Sequence, residues 1–337
     1  MTRLCPHPIS VAPMMDVTDR HTRWLYRRIS RRVLLYTEMV TATALAHGDV
    51  PTLLDFDPSE HPVALQLGGD DLQLMAEAAR LGERWGYDEI NLNIGCPSPR
   101  VQRGRFGACL MLDPDHVAKL VRAVRRVVEV PVTVKCRIGV DDHDRYEDLL
   151  SFAAAMRDAG ADRLTVHARK AWLDGLSPKE NREIPPLRYE DVYRLKHDLP
   201  DLPIEINGGI TTLDEADDHL ERVDAVMIGR AVWRDPWLLA DVDRRYGAPD
   251  ATPPTREAVA RDFADYARAA IARGARPQHV LRNLAPLFSG QPGSGAFKRT
   301  LSEAHHCGVD AVARGLDAMA QVRDRMSHDV HSVAEAP

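Results

Sequence analysis

Up to Trp237 the chain alternates short, nearly unbroken apolar runs with longer stretches of helical period. The runs are ISVAPM, VLLYTEMV, VALQLG, EINLNIGC, VTVKCRIG, RLTVHAR, IEINGG and AVMIGRAV. Parallel strands covered on both faces have this near-continuous apolar character, so eight strands are predicted. Between the fourth and fifth, Asp113-Pro114 is an N-cap and first-turn pair. Val117, Leu120, Val121, Val124 and Val128 then share one helical face. The same spacing recurs in Leu72, Met75, Ala76 and Ala79 after Asp70, and in Leu149, Phe152, Ala153 and Met156. Eight strand–helix units that close on themselves make a TIM (β/α)8 barrel. An open doubly wound sheet would carry a GxGxxG turn after its first strand, and none occurs.

Past Trp237 the rhythm stops. Gly247 to Thr255, with Pro249, Pro253 and Pro254, reads as a linker. Beyond it, Val259, Phe263, Tyr266 and Ala270, and later Val312, Leu316, Met319 and Val322, have helical spacing, with Gly290 to Gly295 as an internal loop. The fold class expected is therefore α/β: a barrel over 1–247, then a small all-helical C-terminal domain over 256–330. The 337 residues suit this division, since such barrels take about 250 residues.

Composition and charge refine the picture. With 44% apolar and 28% charged residues the chain is of ordinary globular type. Its net charge of −6 is uneven: residues 256–326 hold 11 Lys and Arg against 7 Asp and Glu, a local +4 that leaves the rest at −10. A mildly basic C-terminal region permits contact with a nucleic acid without demanding it. No leader-like apolar run opens the sequence and none of roughly 18 residues occurs within it, so a cytoplasmic protein without a membrane span is expected. The five cysteines are scattered and form no CxxC pair, which argues against disulfides and zinc. His305-His306-Cys307 resembles a metal cluster, but adjacent helical histidines point to different faces, so no metal is expected. A monomer is the default expectation.

Barrel chemistry gathers at the C-terminal ends of strands. The polar residues there are, in order, Met14 (the one apolar member), Glu38, Gln66, Asn91 with Asn93, Lys135 with Arg137, His167 with Arg169, Asn207-Gly208-Gly209, and Gly229-Arg230. The glycines follow strands seven and eight, where barrels often bind phosphate. Gly208 and Gly209 would let backbone N–H groups approach its oxygens and Arg230 would add a charge. Gln66, Lys135 and His167 offer hydrogen bonds suited to a flavin ring and its ribityl chain. Cys96, in Asn93-Ile94-Gly95-Cys96-Pro97-Ser98, is placed to act as a general acid on a mobile loop over the barrel mouth.

These residues carry a resemblance to the tRNA-dihydrouridine synthases. It runs through APMMDVTDRHTR, YTEMVTATALAHGD, VALQLGG, INLNIGCPSPRVQRGRFGACLM, VKCRIGVDD, TVHARKAWLDGLSPKENREIPPL, INGGI, MIGRA and KRTLSEA. KENREIPPL is similar to the subfamily acting at positions 20 and 20a of tRNA. The resemblance implies FMN in the barrel mouth, NADPH as reductant and a tRNA uridine as substrate. It further implies hydride transfer from flavin N5 to C6, with Cys96 protonating C5. Pro13, Met14 and Met15 would line the flavin; Gln66, Lys135 and His167 would bind its ring and ribityl regions; Asn207, Gly208, Gly209, Gly229 and Arg230 would cradle its phosphate. Asn93 would contact the base, and Asn181, Arg182, Lys298 and Arg299 would orient the tRNA, with Arg100, Arg103 and Arg105 near Cys96 adding grip. Extraction of a base from a folded RNA needs such a basic surface. One departure is Val17, where relatives often carry an aromatic residue. The rival readings are an FMN oxidoreductase of the dihydroorotate dehydrogenase type and a non-catalytic tRNA-binding protein.

Overall fold

A computed structural model describes residues 5–247 and 249–334, with the side chains of 305, 306 and 327–334 left undescribed. The strands are β1 (Ile9–Val11), β2 (Leu35–Tyr36), β3 (Val40–Thr41), β4 (Val63–Gly68), β5 (Glu89–Asn93), β6 (Val132–Arg137), β7 (Arg163–His167), β8 (Ile204–Asn207) and β9 (Ala225–Ile228). All neighbours are parallel, in the order β1-β9-β8-β7-β6-β5-β4-β2, with β3 also on β4. The barrel closes through Leu34, whose N–H donates to the Ile9 carbonyl (3.1 Å) and whose carbonyl accepts from the Val11 N–H (2.9 Å).

The run VLLYTEMV thus supplies two strand pieces rather than one. Between them the Thr37 hydroxyl takes the place of a backbone carbonyl, accepting from the Gln66 N–H at 3.0 Å and donating to the Glu38 carbonyl at 2.7 Å. A side chain that bonds locally competes with the ladder and breaks it.

The crossover helices follow the predicted faces with one shift. Helix Pro114–Arg125 is capped by Asp113, which accepts from the His116 N–H at 3.0 Å, and buries Val117, Leu120, Val121 and Val124. Helix Tyr146–Asp158 buries Leu149, Phe152, Ala153 and Met156. Helix Leu72–Trp85, however, is capped by Asp71 and not Asp70, and buries Met75, Ala78, Ala79 and Gly82, leaving Leu72 exposed.

The floor of the barrel is polar. Arg163 reaches both carboxylate oxygens of Glu89 at 2.7 Å and the Tyr36 hydroxyl at 2.7 Å, with Glu205 at 3.6 Å. All are buried, and Glu205 also accepts from Ser10 (2.7 Å) and Thr165 (2.5 Å). Burial alone would lower the Arg163 pKa, but Glu89, Tyr36 and Glu205 hold the guanidinium well above its ordinary value.

By internal contacts the chain forms two compact units: Met1–Arg23 with Arg32–Gly229, and Trp24–Arg31 with Arg230–Pro337. Among its described residues the second holds helices joined by turns and loops, and no strand. Its helix Arg256–Ala272 is capped by Thr255, which accepts from the Ala258 N–H at 3.2 Å, and buries Val259, Phe263, Tyr266 and Ala270 as predicted. Trp24 stacks on Tyr266 with ring centroids 4.4 Å apart and meets Phe263 edge-on at 5.8 Å. In the last helix Val312 and Met319 are buried, while Leu316 and Val322 are half-buried.

Candidate active site

Strand register gathers the polar residues that end the apolar runs. Gln66 lies opposite Asn91, Asn93 opposite Lys135, Arg137 opposite His167, and His167 opposite Asn207. Alternation along a strand puts Lys135 and Arg137 on one face of β6, and Asn91 and Asn93 on one face of β5.

The turn that carries Cys96 is built from Asn93. Its Oδ1 accepts from the N–H of Cys96 at 3.0 Å and of Gly95 at 3.2 Å. The Cys96 carbonyl accepts from the Ala108 N–H at 2.9 Å. Gly107 makes that approach, at φ 76°; a Cβ there would stand 2.5 Å from the Cys96 oxygen. The Gln102 amide donates to the carbonyls of Pro97 (2.9 Å) and Leu173 (2.6 Å), which ties this loop to the one after β7. The loop expected to be mobile is therefore pinned on both sides of a half-buried thiol. Burial raises the thiol pKa values of Cys109 and Cys136, the latter to about 12.

Arg137, not assigned a role from the sequence, is buried and has no carboxylate partner among the described residues. It donates to the carbonyls of Gly95 (3.0 Å), Lys170 (2.9 Å) and Asn181 (2.9 Å), so one guanidinium ties the loop after β5 to two points of the loop after β7. Burial, and Arg182 and Arg169 against the attraction of Cys96, bring its pKa down to about 10. The available signal was its place two residues after Lys135 on the inward face.

Lys135 donates to Asn207 Oδ1 at 3.0 Å, and Asn207 Nδ2 donates to the Met227 carbonyl at 2.8 Å. Burial, then the charge of Arg137, lowers the Lys135 pKa to about 8. Burial and the cations Arg137, Lys135, Arg169 and Arg182 push His167 well below its ordinary value, so it is neutral at pH 7. Its ring has no hydrogen-bond partner among the described residues, although the side chain is only 9% exposed. Beside it Gly208 (φ 115°) and Gly209 (φ 79°) occupy backbone that L side chains rarely adopt. A Cβ on Gly208 would lie 2.4 Å from His167 Cδ2, and one on Gly209 2.7 Å from the Tyr189 hydroxyl, which itself donates to the Gly208 carbonyl at 2.7 Å. Tyr189 opens a helix and carried no signal in its local pattern.

After β1, Met14 packs on the cluster Ala12, Leu34, Tyr36, Ala64 and Met227, and its backbone exchanges two hydrogen bonds with the Thr18 hydroxyl. Pro13 is half-buried and Met15 is exposed. Gly229 follows β9, within 3.5 Å of Ala12 Cβ for an added Cβ, and Arg230 opens the short helix Arg230–Arg234. Glu38 has a buried Oε1 without a hydrogen-bond partner; burial and then Asp19 raise its pKa. Arg100, Arg103, Arg105, Arg182, Lys298 and Arg299 are exposed, the last two in the second unit. Asn181 is fully buried: its Oδ1 accepts from the Trp172 N–H (2.7 Å) and its Nδ2 donates to the Trp172 carbonyl (2.9 Å), so it lies inside its loop and not on the surface. Among the described residues no three His, Cys, Asp or Glu side chains form a metal-sized cluster and no helix is long and apolar enough to cross a membrane. The His305 and His306 side chains lie outside the described residues.

Residues 10–321 match the dihydrouridine synthase (Dus) family. The chain is 57% identical over 298 residues to a tRNA-dihydrouridine(20/20a) synthase of Synechocystis sp., covering 88% of this chain and 89% of that protein. It is 51% identical to a protein of the same description from Xanthomonas axonopodis pv. citri, with the same coverage of each. A third, from Vibrio parahaemolyticus, is 48% identical and covers 96% of this chain and 98% of its own. Among solved structures, a 2-naphthoyl-CoA reductase complex superposes with a TM-score of 0.54 over 71% of this chain and 50% of that one, at 13% identity, which is a likeness of fold alone.

Proposed function

The chain belongs to the dihydrouridine synthase family, and from that premise we propose how its rim residues serve an FMN-dependent, NADPH-driven reduction of the uridine C5=C6 bond in the D-loop of tRNA. The observation that carries the proposal is the pinned Cys96 turn, held by Asn93 in register with Lys135 at the mouth of a parallel barrel.

The site fits a flavin. Gly208 and Gly209, in left-handed backbone, pass so close to His167 and Tyr189 that a Cβ has no room, and the neutral His167 ring has no hydrogen-bond partner among the described residues, which leaves it free to meet a bound group. Bound FMN supplies hydride from N5 to uracil C6 and is replenished by NADPH. Cys96 supplies the proton to C5 as general acid. Gln66, Lys135 and His167 hold the ring and ribityl regions, with Pro13, Met14 and Met15 as the apolar lining. Asn207, Gly208, Gly209, Gly229 and Arg230 hold the phosphate. Asn93 contacts the base. Arg182, Lys298 and Arg299 grip the tRNA backbone, joined by Arg100, Arg103 and Arg105, while Asn181 shapes the loop that carries Arg182. The catalytic barrel spans 1–247 and the tRNA-binding helices 256–330. The enzyme acts in the cytoplasm as a monomer, at positions 20 and 20a, and requires no metal.

Purified protein tests this reading directly: it should carry FMN that NADPH bleaches and dihydrouridine-free tRNA reoxidises. Colourless protein that binds tRNA would favour a non-catalytic role. Flavoprotein reoxidised only by a free pyrimidine acid would favour a small-molecule reductase.

The lowered pKa of Lys135 gives a pH signature. Its ammonium is charged at pH 7 and loses its proton as pH rises through about 8. Affinity of the flavin-free protein for anionic FMN should therefore fall roughly tenfold between pH 7.5 and 9. Lys135→Arg, which stays charged, should flatten that fall in a fluorescence titration. The same slope in both proteins would remove Lys135 from the site.

A further inference from the structure

A file of buried side chains climbs the barrel wall from the floor to Asn93, and only one polarity satisfies it. Glu89, salt-bridged to Arg163, accepts from the Thr133 hydroxyl at 2.6 Å. The Thr133 oxygen must then accept, and Asn91 Nδ2 donates to it at 2.8 Å. Asn91 Oδ1 accepts from Gln66 Nε2 at 2.7 Å, and Gln66 Oε1 accepts from Asn93 Nδ2 at 2.7 Å. At the upper end the N–H groups of Gly95 and Cys96 both require an acceptor, which Asn93 Oδ1 provides. The carboxylate below and the two backbone donors above thus demand the same orientation of all three amides. Reversal of any one would set donor against donor. Glu89, Thr133, Asn91 and Gln66 are at most 5% exposed, so water cannot replace a missing partner, while Asn93 at the upper end is half-buried.

We propose that Glu89, Thr133 and Asn91 are positioning residues for the reduction, locking the Asn93 amide so that its oxygen holds the Cys96 turn and its remaining N–H serves as a donor to a uracil carbonyl. This rests on the reading of function above. As hydride reaches C6 and before the Cys96 proton reaches C5, negative charge spreads to the carbonyl conjugated with that bond. A donor fixed in advance meets that charge without reorganising. Glu89, Thr133 and Asn91 reach Asn93 through the Gln66 amide and themselves touch neither substrate nor cofactor.

Thr133→Val is nearly isosteric and removes one link, leaving Asn91 Nδ2 without its acceptor. The holoenzyme variant should retain FMN, bind tRNA with the parent affinity and be reduced by NADPH at the parent rate. Reoxidation of its flavin by saturating dihydrouridine-free tRNA, followed by absorbance in a stopped-flow experiment, should slow roughly tenfold. Thr133→Ser, which keeps the hydroxyl, should recover most of that rate. Parent-like reoxidation in Thr133→Val would overturn the proposal. So would a loss shared equally by the NADPH step, or one that serine does not relieve, since either marks the relay as core packing. Should Thr133→Val not fold, Asn91→Leu, which is close in volume and cannot donate to Thr133, should likewise spare FMN content, tRNA affinity and the NADPH step while slowing reoxidation by tRNA. A flavin-loaded parent that NADPH reduces and tRNA never reoxidises would contradict the functional reading itself.

Discussion

Cys96→Ala is expected to lower turnover on tRNA by about 100-fold or more, the usual contribution of a positioned general acid. The effect should be selective. The Cys96 backbone, and not its thiol, holds the turn: its N–H is bound by Asn93 and its carbonyl by Ala108. Removing the sulfur therefore leaves the loop, the glycine cradle and the Arg137 contact with Gly95 in place. FMN content, the rate of flavin reduction by NADPH and tRNA affinity should match the parent, while single-turnover formation of dihydrouridine collapses. Cys109→Ala, at a thiol whose Sγ lies 3.2 Å from the Phe106 carbonyl on the same loop, should leave that step near the parent rate. Undiminished turnover in Cys96→Ala would remove the acid from this scheme.

Arg163→Met should produce the largest loss of stability, about 3–5 kcal/mol, because it strands two buried carboxylates that share one cation. Urea unfolding at about pH 7 should show that deficit, and Arg163→Lys, which keeps a cation beside both carboxylates, should recover part of it. An equal deficit in both variants would point to lost packing, and no deficit would mean that the floor of the barrel is not held by this pair.

Much of this was legible along the chain because parallel barrel strands must be apolar almost throughout, so a polar residue ending each run stands out. Gln66, Asn93, Lys135, His167 and Asn207 were visible in that way, and strand register brings them together. Features that depend on register or on distant contacts were not. Nothing local links Glu89, Thr133 and Arg163, which are 44 and 74 residues from Glu89 along the chain. The break after Tyr36 follows from the Thr37 hydroxyl serving Gln66, a partner 29 residues away. Asp70 and Asp71 are equally good caps by type, and only the bond from the Leu74 N–H to Asp71 at 2.8 Å distinguishes them. The grouping of Trp24–Arg31 with the C-terminal helices rests on aromatic contacts with Phe263 and Tyr266 that no periodicity announces. Asn181 has the composition of a surface loop residue, but its amide completes that loop's own backbone bonding.

Nucleoside mass spectrometry of tRNA from cells lacking this gene, with the modified positions mapped and purified protein plus NADPH added back, tests the central claim most directly. Dihydrouridine should vanish from positions 20 and 20a and return on addition of the protein, but not of Cys96→Ala. Dihydrouridine unchanged at both positions in the deleted cells, with no gain on dihydrouridine-free tRNA when protein and NADPH are supplied, would contradict it.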